Sequence, residues 1–468
     1  MNKGKLLLLF FIIFIFSFSW SFQDVNHNKK KEAINYRLQQ EGENIRYVNA
    51  SYFSQIQSPE YTDGQVLVKF KSYFPEHKIE AAIASYRSKK LRKIPRINVY
   101  TIQIPEDITV EEMVFSLNQN PDVEYAEPNY KVYISITPND RYFRDQYALS
   151  NTGQELIWIP GSPQGKPKAD IKATSGWEET KGDKEVIIAV LDTGVDMLHP
   201  DIDEKVHSSG WDFVNNDFDA TDDHWHGTHV SGIAAAETNN EIGIAGVAWE
   251  CKILPVKVLD KNGEGDIEGV SNGIIWATDK GADVINMSFG GVTNLGKGNL
   301  PRTLQSALKD AYDKDVVLAA AAGNDGGDVN WPASSVYCLA VAATNYNDER
   351  VTFANTGGVW ESNSGTEIDV AAPGEGILSL YPIELTPSGF TPYAYSDGTS
   401  MATAHVSGLA ALLKSVKPWL TNRDIMDIIR YSAEDVNSDL DSGKDDFLGY
   451  GRIDLEIALV PLRITSSK

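Results

Sequence analysis

The chain is short of sulfur, of positive charge and of long apolar stretches, and each shortage removes a class of protein. Two cysteines in 468 residues, Cys251 and Cys338, make no disulfide framework, so the fold must rest on an apolar core. The two are expected as separate buried thiols. Lysine and arginine number 42 against 65 aspartate and glutamate, a net charge of −23, which excludes nucleic acid as a natural partner. Beyond Trp20 no stretch is apolar for long enough to cross a bilayer, and no repeat or Gly/Ser-rich linker separates further modules.

What apolar length there is lies at the start. Lys3 and Lys5 precede a run from Leu6 to Trp20, the pattern of a secretory signal over residues 1–21, with an uncleaved anchor helix as the alternative. The mature product is then expected to be secreted, extracellular, free of the membrane and monomeric. Charge divides the remainder: residues 23–136 carry 15 basic and 15 acidic side chains, whereas residues 137–468 carry 25 and 50. The neutral part holds a basic cluster, Arg87, Lys89, Lys90, Arg92, Lys93 and Arg96, which either faces the acidic part or lies in a solvated loop.

Residues 22–63 are polar, lack a sustained period and read as a loosely ordered leader. From Gly64 the pattern predicts strand 65–71, helix 75–86, strand 98–104, helix 110–118 and strand 123–127, a small α+β unit ending near residue 136. Beyond Thr137, apolar runs at 186–191, 253–259, 284–287, 316–322, 339–343 and 368–371 alternate with helical patterns at 228–236, 267–280, 304–314, 401–415 and 422–431. Strands that are apolar throughout belong in a parallel sheet covered on both faces, so the fold class is α/β, a doubly wound parallel sheet. Function in such sheets gathers at the carboxyl ends of the strands.

Three short motifs meet that rule: Leu191-Asp192-Thr193-Gly194, His226-Gly227-Thr228-His229 and Gly398-Thr399-Ser400-Met401-Ala402. Asp192 follows a strand, while His226 and Ser400 each open a helix. A serine hydroxyl is a poor nucleophile at neutral pH; it needs an imidazole to take its proton and a carboxylate to hold that imidazole in one tautomer. Ser400, His226 and Asp192 supply those roles. An oxyanion would be met by the Ser400 N–H at the helix start and by Asn324, in Ala321-Ala322-Gly323-Asn324 after an apolar strand.

With these motifs, and with Ile285-Asn286-Met287-Ser288-Phe289-Gly290-Gly291 and Asp369-Val370-Ala371-Ala372-Pro373-Gly374, the chain resembles the subtilisin-like serine proteases, in particular their thermitase-like branch. The resemblance covers nearly everything after Gly64. It implies an endopeptidase of broad action whose substrate lies as an added strand between Gly263-Glu264-Gly265 and Ser288-Phe289-Gly290. The unit at 64–136 resembles, with a ferredoxin-like fold, the inhibitor-type propeptide of the family: a partner in folding, then an inhibitor, cut away between Tyr133 and Thr137. The resemblance also implies a structural calcium ion held by Asp140, Asp201 and Asn240 with the carbonyls of Glu237, Ile242 and Ile244. A second calcium site at Asp212, Asn215, Asp217 and Asp219 competes with a merely solvated acidic loop. Two departures from the family pattern stand out: Ala404 replaces a usual proline, and Asp397 adds a negative charge beside the nucleophile motif, where it is expected to favour the imidazolium.

Other readings remain open in the sequence alone. Leu440-Asp441-Ser442-Gly443 echoes Leu191-Asp192-Thr193-Gly194 as in a paired-carboxylate protease, and His224, His226 and His229 could form a zinc cluster, but each leaves other motifs idle. From a different class comes a catalytically silent binding protein on the same fold.

Overall fold

The computed structural model describes residues 61–130, 137–156, 164–207, 209–291, 301–438 and 442–460. The expected signal, the leader up to residue 60, Asp441 and the stretch 131–136 within which processing is expected lie outside the described residues. The chain divides into two compact units, Met1–Ile134 and Ser135–Lys468, each taken by itself here.

In the first unit, β1 (Tyr61–Phe70), α1 (Glu76–Ser85), β2 (Lys89–Ile94), β3 (Val99–Gln103), α2 (Val110–Asn118) and β4 (Val123–Tyr130) form an antiparallel sheet of order β2-β3-β1-β4. This is a ferredoxin-like βαββαβ arrangement. Val66, Val68 and Ile102 of the sheet bury against Ile79 and Ile83 of α1 and Met113 and Leu117 of α2. Thr109 and Glu112 close a reciprocal capping box that starts α2 where the spacing predicted it. The basic cluster corrects the sequence reading, because most of it is the edge strand β2 and not a loop. Lys90 bonds to Glu80 at 2.6 Å, Lys93 to Glu76 at 2.5 Å, and Arg87, in the turn before the strand, to Asp107 at 2.8 Å. Lysines on an edge strand discourage pairing with another sheet, and their abundance hides the strand from an apolar-period search.

The second unit is built on β5 (Ile187–Asp192), β6 (Trp211–Asp212), β7 (Lys252–Lys257), β8 (Val284–Met287), β9 (Val317–Ala321), β10 (Leu339–Thr344) and β11 (Val370–Pro373), in the order β11-β10-β9-β8-β5-β7-β6. All neighbours are parallel. Strand order reverses around β5, which places the end of β5 at the topological switch point. A short hairpin, β12 (Ile377–Leu380) and β13 (Tyr393–Ser396), precedes the nucleophile motif. The helices are α3 (Ala173–Glu179), α4 (His226–Ala235), α5 (Ile267–Asp279), α6 (Arg302–Asp313), α7 (Thr399–Val416), α8 (Asn422–Ser432) and α9 (Leu455–Ala458). The sheet core of Leu191, Leu254, Val256, Ile285, Met287 and Leu318 packs against Val270, Ile274, Leu304 and Leu308 of α5 and α6. Sequence reasoning missed β6, β12, β13, α3 and α9, which are too short for a periodic signal. Both cysteines are free and buried, as expected.

The interior also carries charge. Arg452 is fully buried, paired with buried Asp348 and with Glu434, and main-chain bonds between residues 434 and 452 clamp the C-terminal segment beside β11. Removing one member of such a pair leaves an uncompensated buried charge. Arg452→Met, made in a Ser400→Ala background to prevent self-digestion, should therefore lose about 3–5 kcal/mol of stability, read as a lower denaturant midpoint. A loss under about 1 kcal/mol would contradict this role for the cluster.

Candidate active site

Because β7, β5 and β8 are adjacent and parallel, their carboxyl ends emerge side by side. Asp192 ends the middle strand, with residues 258–265 leaving on one flank and Ser288–Gly290 on the other. Across this edge the first turn of α4 is laid down so closely that a Cβ on Gly227 would sit 2.0 Å from the Gly194 carbonyl oxygen. Gly194 itself turns with φ +110°, a region that suits glycine. Both motif glycines thus let the strand end meet the helix start.

The contact they permit is a hydrogen bond from an imidazole to a carboxylate. His226 Nδ1 lies 2.8 Å from Asp192 Oδ1, which also accepts from the Thr193 N–H at 2.8 Å, and Asp192 is fully buried. A carboxylate only accepts, so the Nδ1 carries the proton and Nε2 is left with a lone pair toward the cleft. Burial pushes the imidazole pKa down, but the charge and hydrogen bond of Asp192 and the charge of Asp222 outweigh it, and the net shift is upward.

Asp222 is a residue that sequence reasoning missed. Its Oδ1 accepts from the Thr193 hydroxyl at 2.8 Å and from the His224 and Trp225 N–H groups at 3.0 Å each, while Oδ2 takes the Thr228 N–H at 2.9 Å and hydroxyl at 2.6 Å. Thr193 Oγ1 in turn accepts the Gly227 N–H at 3.0 Å. One buried carboxylate therefore ties the Asp192 loop to the His226 helix. Its position four residues before His226 was the available signal. His229 behaves as expected of a structural residue: Nε2 bonds the Ala394 carbonyl at 3.0 Å and burial lowers its pKa to about 3. No three histidine, cysteine or acidic groups among the described residues gather as a metal centre, so the zinc reading fails.

Ser400 sits in the first turn of α7, after Gly398, an N-cap residue with no side chain of its own to cap the helix. Its hydroxyl donates to the Ser288 carbonyl at 2.7 Å, not to His226, while the Ser288 hydroxyl donates to the Ser400 carbonyl at 2.8 Å. Asn324 is exposed, and its Oδ1 accepts from the Thr399 N–H at 2.9 Å and hydroxyl at 3.0 Å, while its Nδ2 would lie 3.3 Å from a Cβ on Gly398. Gly263, Glu264 and Gly265 are exposed in a turn closed on Asp260, Ser288 is buried, and Phe289 is half-buried. Asp397 accepts the Gly376 N–H at 2.6 Å, and its charge adds to the burial that raises the pKa of Glu375 to about 7.

Asp140 and Asp201 are both buried. Both Asp140 oxygens lie 2.9 Å from the Asn239 N–H; Asp201 accepts from the Asn240 amide at 2.8 Å and the Ile244 N–H at 2.9 Å. Burial raises the pKa of each, that of Asp201 to about 7 with the charge of Asp140 adding to it. No lysine or arginine among the described residues pairs with either. A Cβ on Gly243 would sit 1.8 Å from Asp201 Oδ2, so this loop closes tightly over the carboxylate. Two desolvated carboxylates without a lysine or arginine partner fit a hard divalent cation, and the Asn240 amide beside them donates to Asp201 while its oxygen accepts the Ile242 N–H. The Glu237 side chain turns elsewhere, 4.0 Å from Lys205.

The second acidic loop does not fit. Asp212 spends its oxygens on Val214 N, Asn215 N and the Asn215 amide, Asp217 on Asp219 N and Asp219 on Thr221 N, so the acids close a hairpin instead of facing a common centre.

Comparison with known proteins agrees with this architecture. A family model described as the Subtilase family matches residues 183–451, and one described as the Fervidolysin N-terminal prodomain matches residues 48–129. The thermophilic serine proteinase of a Bacillus species is 39% identical over 407 residues, 84% of this chain and 86% of the relative. Thermitase of Thermoactinomyces vulgaris is 43% identical over 281 residues, 60% of this chain and 86% of its own length. Among solved structures, a protease of Pseudoalteromonas arctica superposes with a TM-score of 0.58 at 32% identity, covering 69% of this chain and 99% of that one. Fervidolysin of Fervidobacterium pennivorans, a keratinolytic enzyme related to subtilisin, gives 0.53 at 27% identity, covering 86% and 62%. With the parallel sheet, the prodomain and these matches in hand, the chain belongs to the subtilase family of serine proteases.

Proposed function

We propose that this protease cleaves peptide bonds through Ser400, His226 and Asp192 by way of an acyl-enzyme, and that it matures by cutting its own prodomain away. The observation that carries the reading is the 2.8 Å pairing of His226 Nδ1 with a fully buried Asp192, at the same sheet edge as a serine in the first turn of α7 that bonds to Ser288 beyond the neighbouring strand. Asp192 holds the imidazole in the tautomer whose Nε2 can take the Ser400 proton, and stabilises the imidazolium that results. The resting bond from Ser400 to the Ser288 carbonyl is a competitor to that transfer. A substrate entering as a strand beside Ser288–Gly290 brings an N–H that takes this carbonyl and frees the hydroxyl to turn to His226.

The carbonyl carbon under attack forms a bond to Ser400 Oγ, and its oxygen becomes an oxyanion. The Ser400 N–H and the Asn324 amide are the donors for it, the latter aimed by its anchored Oδ1. His226 then gives the proton to the departing amine, and water repeats the sequence on the ester. Gly263–Gly265 and Ser288–Gly290 carry the acyl side of the substrate. Asp140, Asp201 and Asn240, with the carbonyls of Glu237, Ile242 and Ile244, would hold a calcium ion, which would supply structural charge compensation and no chemistry. Relatives named as extracellular proteases, from Natrialba magadii and Xanthomonas campestris, and the apolar N-terminal run favour secretion.

Refolded full-length protein should be labelled by a fluorophosphonate at Ser400 and acquire a new N-terminus between Tyr133 and Thr137, whereas Ser400→Ala should do neither. A folded, unlabelled and uncut parent would leave the silent binding reading instead. Calcium at about a hundredfold excess over its Kd should stabilise the Ser400→Ala protein by about 2.7 kcal/mol, a rise of roughly 5 °C in Tm over the chelated protein, and Asp201→Asn should remove most of that difference. An equal Tm with calcium and with chelator would refute the metal assignment.

A further inference from the structure

Trp225 has a backbone that tryptophan rarely adopts. Among the described residues, the nine other non-glycine positions with positive φ all lie between 53° and 73°, the ordinary left-handed well, while Trp225 stands at φ 130°, ψ −29°. Strain of this kind persists only where the surroundings over-determine it, and it clusters at functional sites. Here the surroundings are visible: Asp222 takes the Trp225 N–H at 3.0 Å, the His229 N–H takes its carbonyl at 3.1 Å, and the indole is hemmed by four rings. It stacks on His224 (5.3 Å between centroids) and on Tyr381 (6.3 Å), and meets His226 (5.5 Å) and His229 (6.0 Å) edge to face. A glycine would hold the same backbone without strain, so the fold alone does not ask for an indole at this point.

The indole is also the inner end of an apolar surface. Tyr381, which it stacks on, bonds through its N–H to the Pro392 carbonyl at 2.9 Å, and His199 Nε2 reaches the same carbonyl at 2.9 Å. Buried Asp196 accepts the Leu198 N–H at 3.1 Å and the Ile383 N–H at 2.8 Å, and its own N–H donates to Thr228 at the base of α4. These bonds fasten two segments together, and they display Leu198 at 83%, Phe390 at 76%, Ile383 at 43% and Leu385 at 39% exposure. Singly exposed apolar side chains are ordinary, but four of them on two segments fastened to each other offer one apolar surface to a ligand.

We propose that Trp225, Tyr381 and the rim of Leu198, Ile383, Leu385 and Phe390 bind large apolar or aromatic side chains on the leaving-group side of the substrate. The proposal rests on the catalytic reading above and deepens it. Its direction follows from the chemistry of His226. The imidazole must hand a proton to the departing amine, so the residue carrying that amine lies against His226 and hence next to Trp225. The acyl side, in the reading proposed above, follows Gly263–Gly265 and Ser288–Gly290 and so meets the indole on its His224 side, where a Cβ on Gly263 would lie 3.8 Å from His224 Nε2. Only the leaving segment is left to run toward Tyr381 and the hairpin of β12 and β13.

The test compares quenched fluorogenic peptides that share one acyl half and differ in the first three leaving-side positions, bearing Phe or Leu in one set and Gly or Ser in the other. The quantity read is the ratio of kcat/KM between the sets, in which any change to the chemical step cancels. The parent should prefer the apolar set by roughly tenfold, the size of discrimination an apolar pocket can give. Trp225→Gly, whose backbone fits the site, should cut that ratio at least about fivefold, and the surface change Phe390→Ser should lower it at the second or third position. A ratio unaltered in both variants, or a loss confined to changes in the acyl half, would overturn the subsite. So would a concentration-dependent sedimentation change in Phe390→Ser without any change in cleavage, which would make the rim a contact between copies. A parent that cleaves no peptide at all would strike down the catalytic reading on which the subsite stands.

Discussion

Everything at this site depends on bringing a buried carboxylate and an imidazole to 2.8 Å across the gap between a strand end and a helix start. Neither element could do this by itself. The strand delivers Asp192 to the edge of the sheet fully desolvated, and the helix delivers His226 from a different part of the chain. Asp222 makes the meeting rigid, because its two oxygens accept from Thr193 on one side and from His224, Trp225 and Thr228 on the other. Each charge-assisted bond of this kind is worth more than a neutral one, and together they leave the ring little freedom.

The acidity of the second unit gains a physical meaning from the burial of its carboxylates. A solvated acidic surface would serve solubility alone. Asp192, Asp222, Asp140 and Asp201 are instead withdrawn from water, each satisfied in a different way. Asp192 is balanced by an imidazole, Asp222 by five hydrogen bonds, and Asp140 and Asp201 call for a cation. Arg430 and Arg452 perform the same compensation for Asp369 and Asp348 within the protein itself. Burying charge is tolerable only with such partners, which is why the acids are informative about function while the lysines of the exposed edge strand β2 are not.

The long apolar strands and their helices were legible because period and burial agree: the predicted segments 284–287 and 110–118 coincide with β8 and α2. The three motifs that carry the proposed triad were legible because glycine and small residues flank them for packing reasons that also mark them in sequence. Three features were not. The edge strand β2 is spelled in lysine and arginine, which carry no period-two signal. The Asp212 loop alternates acids at a spacing that suits calcium and suits a hairpin turn equally, and only the bonds to its own backbone decide between them. Asp222 and Trp225 lie between motifs; the spacing of Asp222 from His226 is a weak signal, and the rest of their importance comes from the geometry of the His226 turn.

The most direct test of the account is an NMR titration of the His226 ring in folded Ser400→Ala protein, with and without Asp192→Asn. Asp192 and Asp222 raise the imidazole pKa against the effect of burial, so the ring should titrate above the ordinary histidine value, and removal of the Asp192 charge should bring that value down. A ring that titrates at or below its ordinary value and does not respond to Asp192→Asn would contradict the pairing on which the catalytic reading is built.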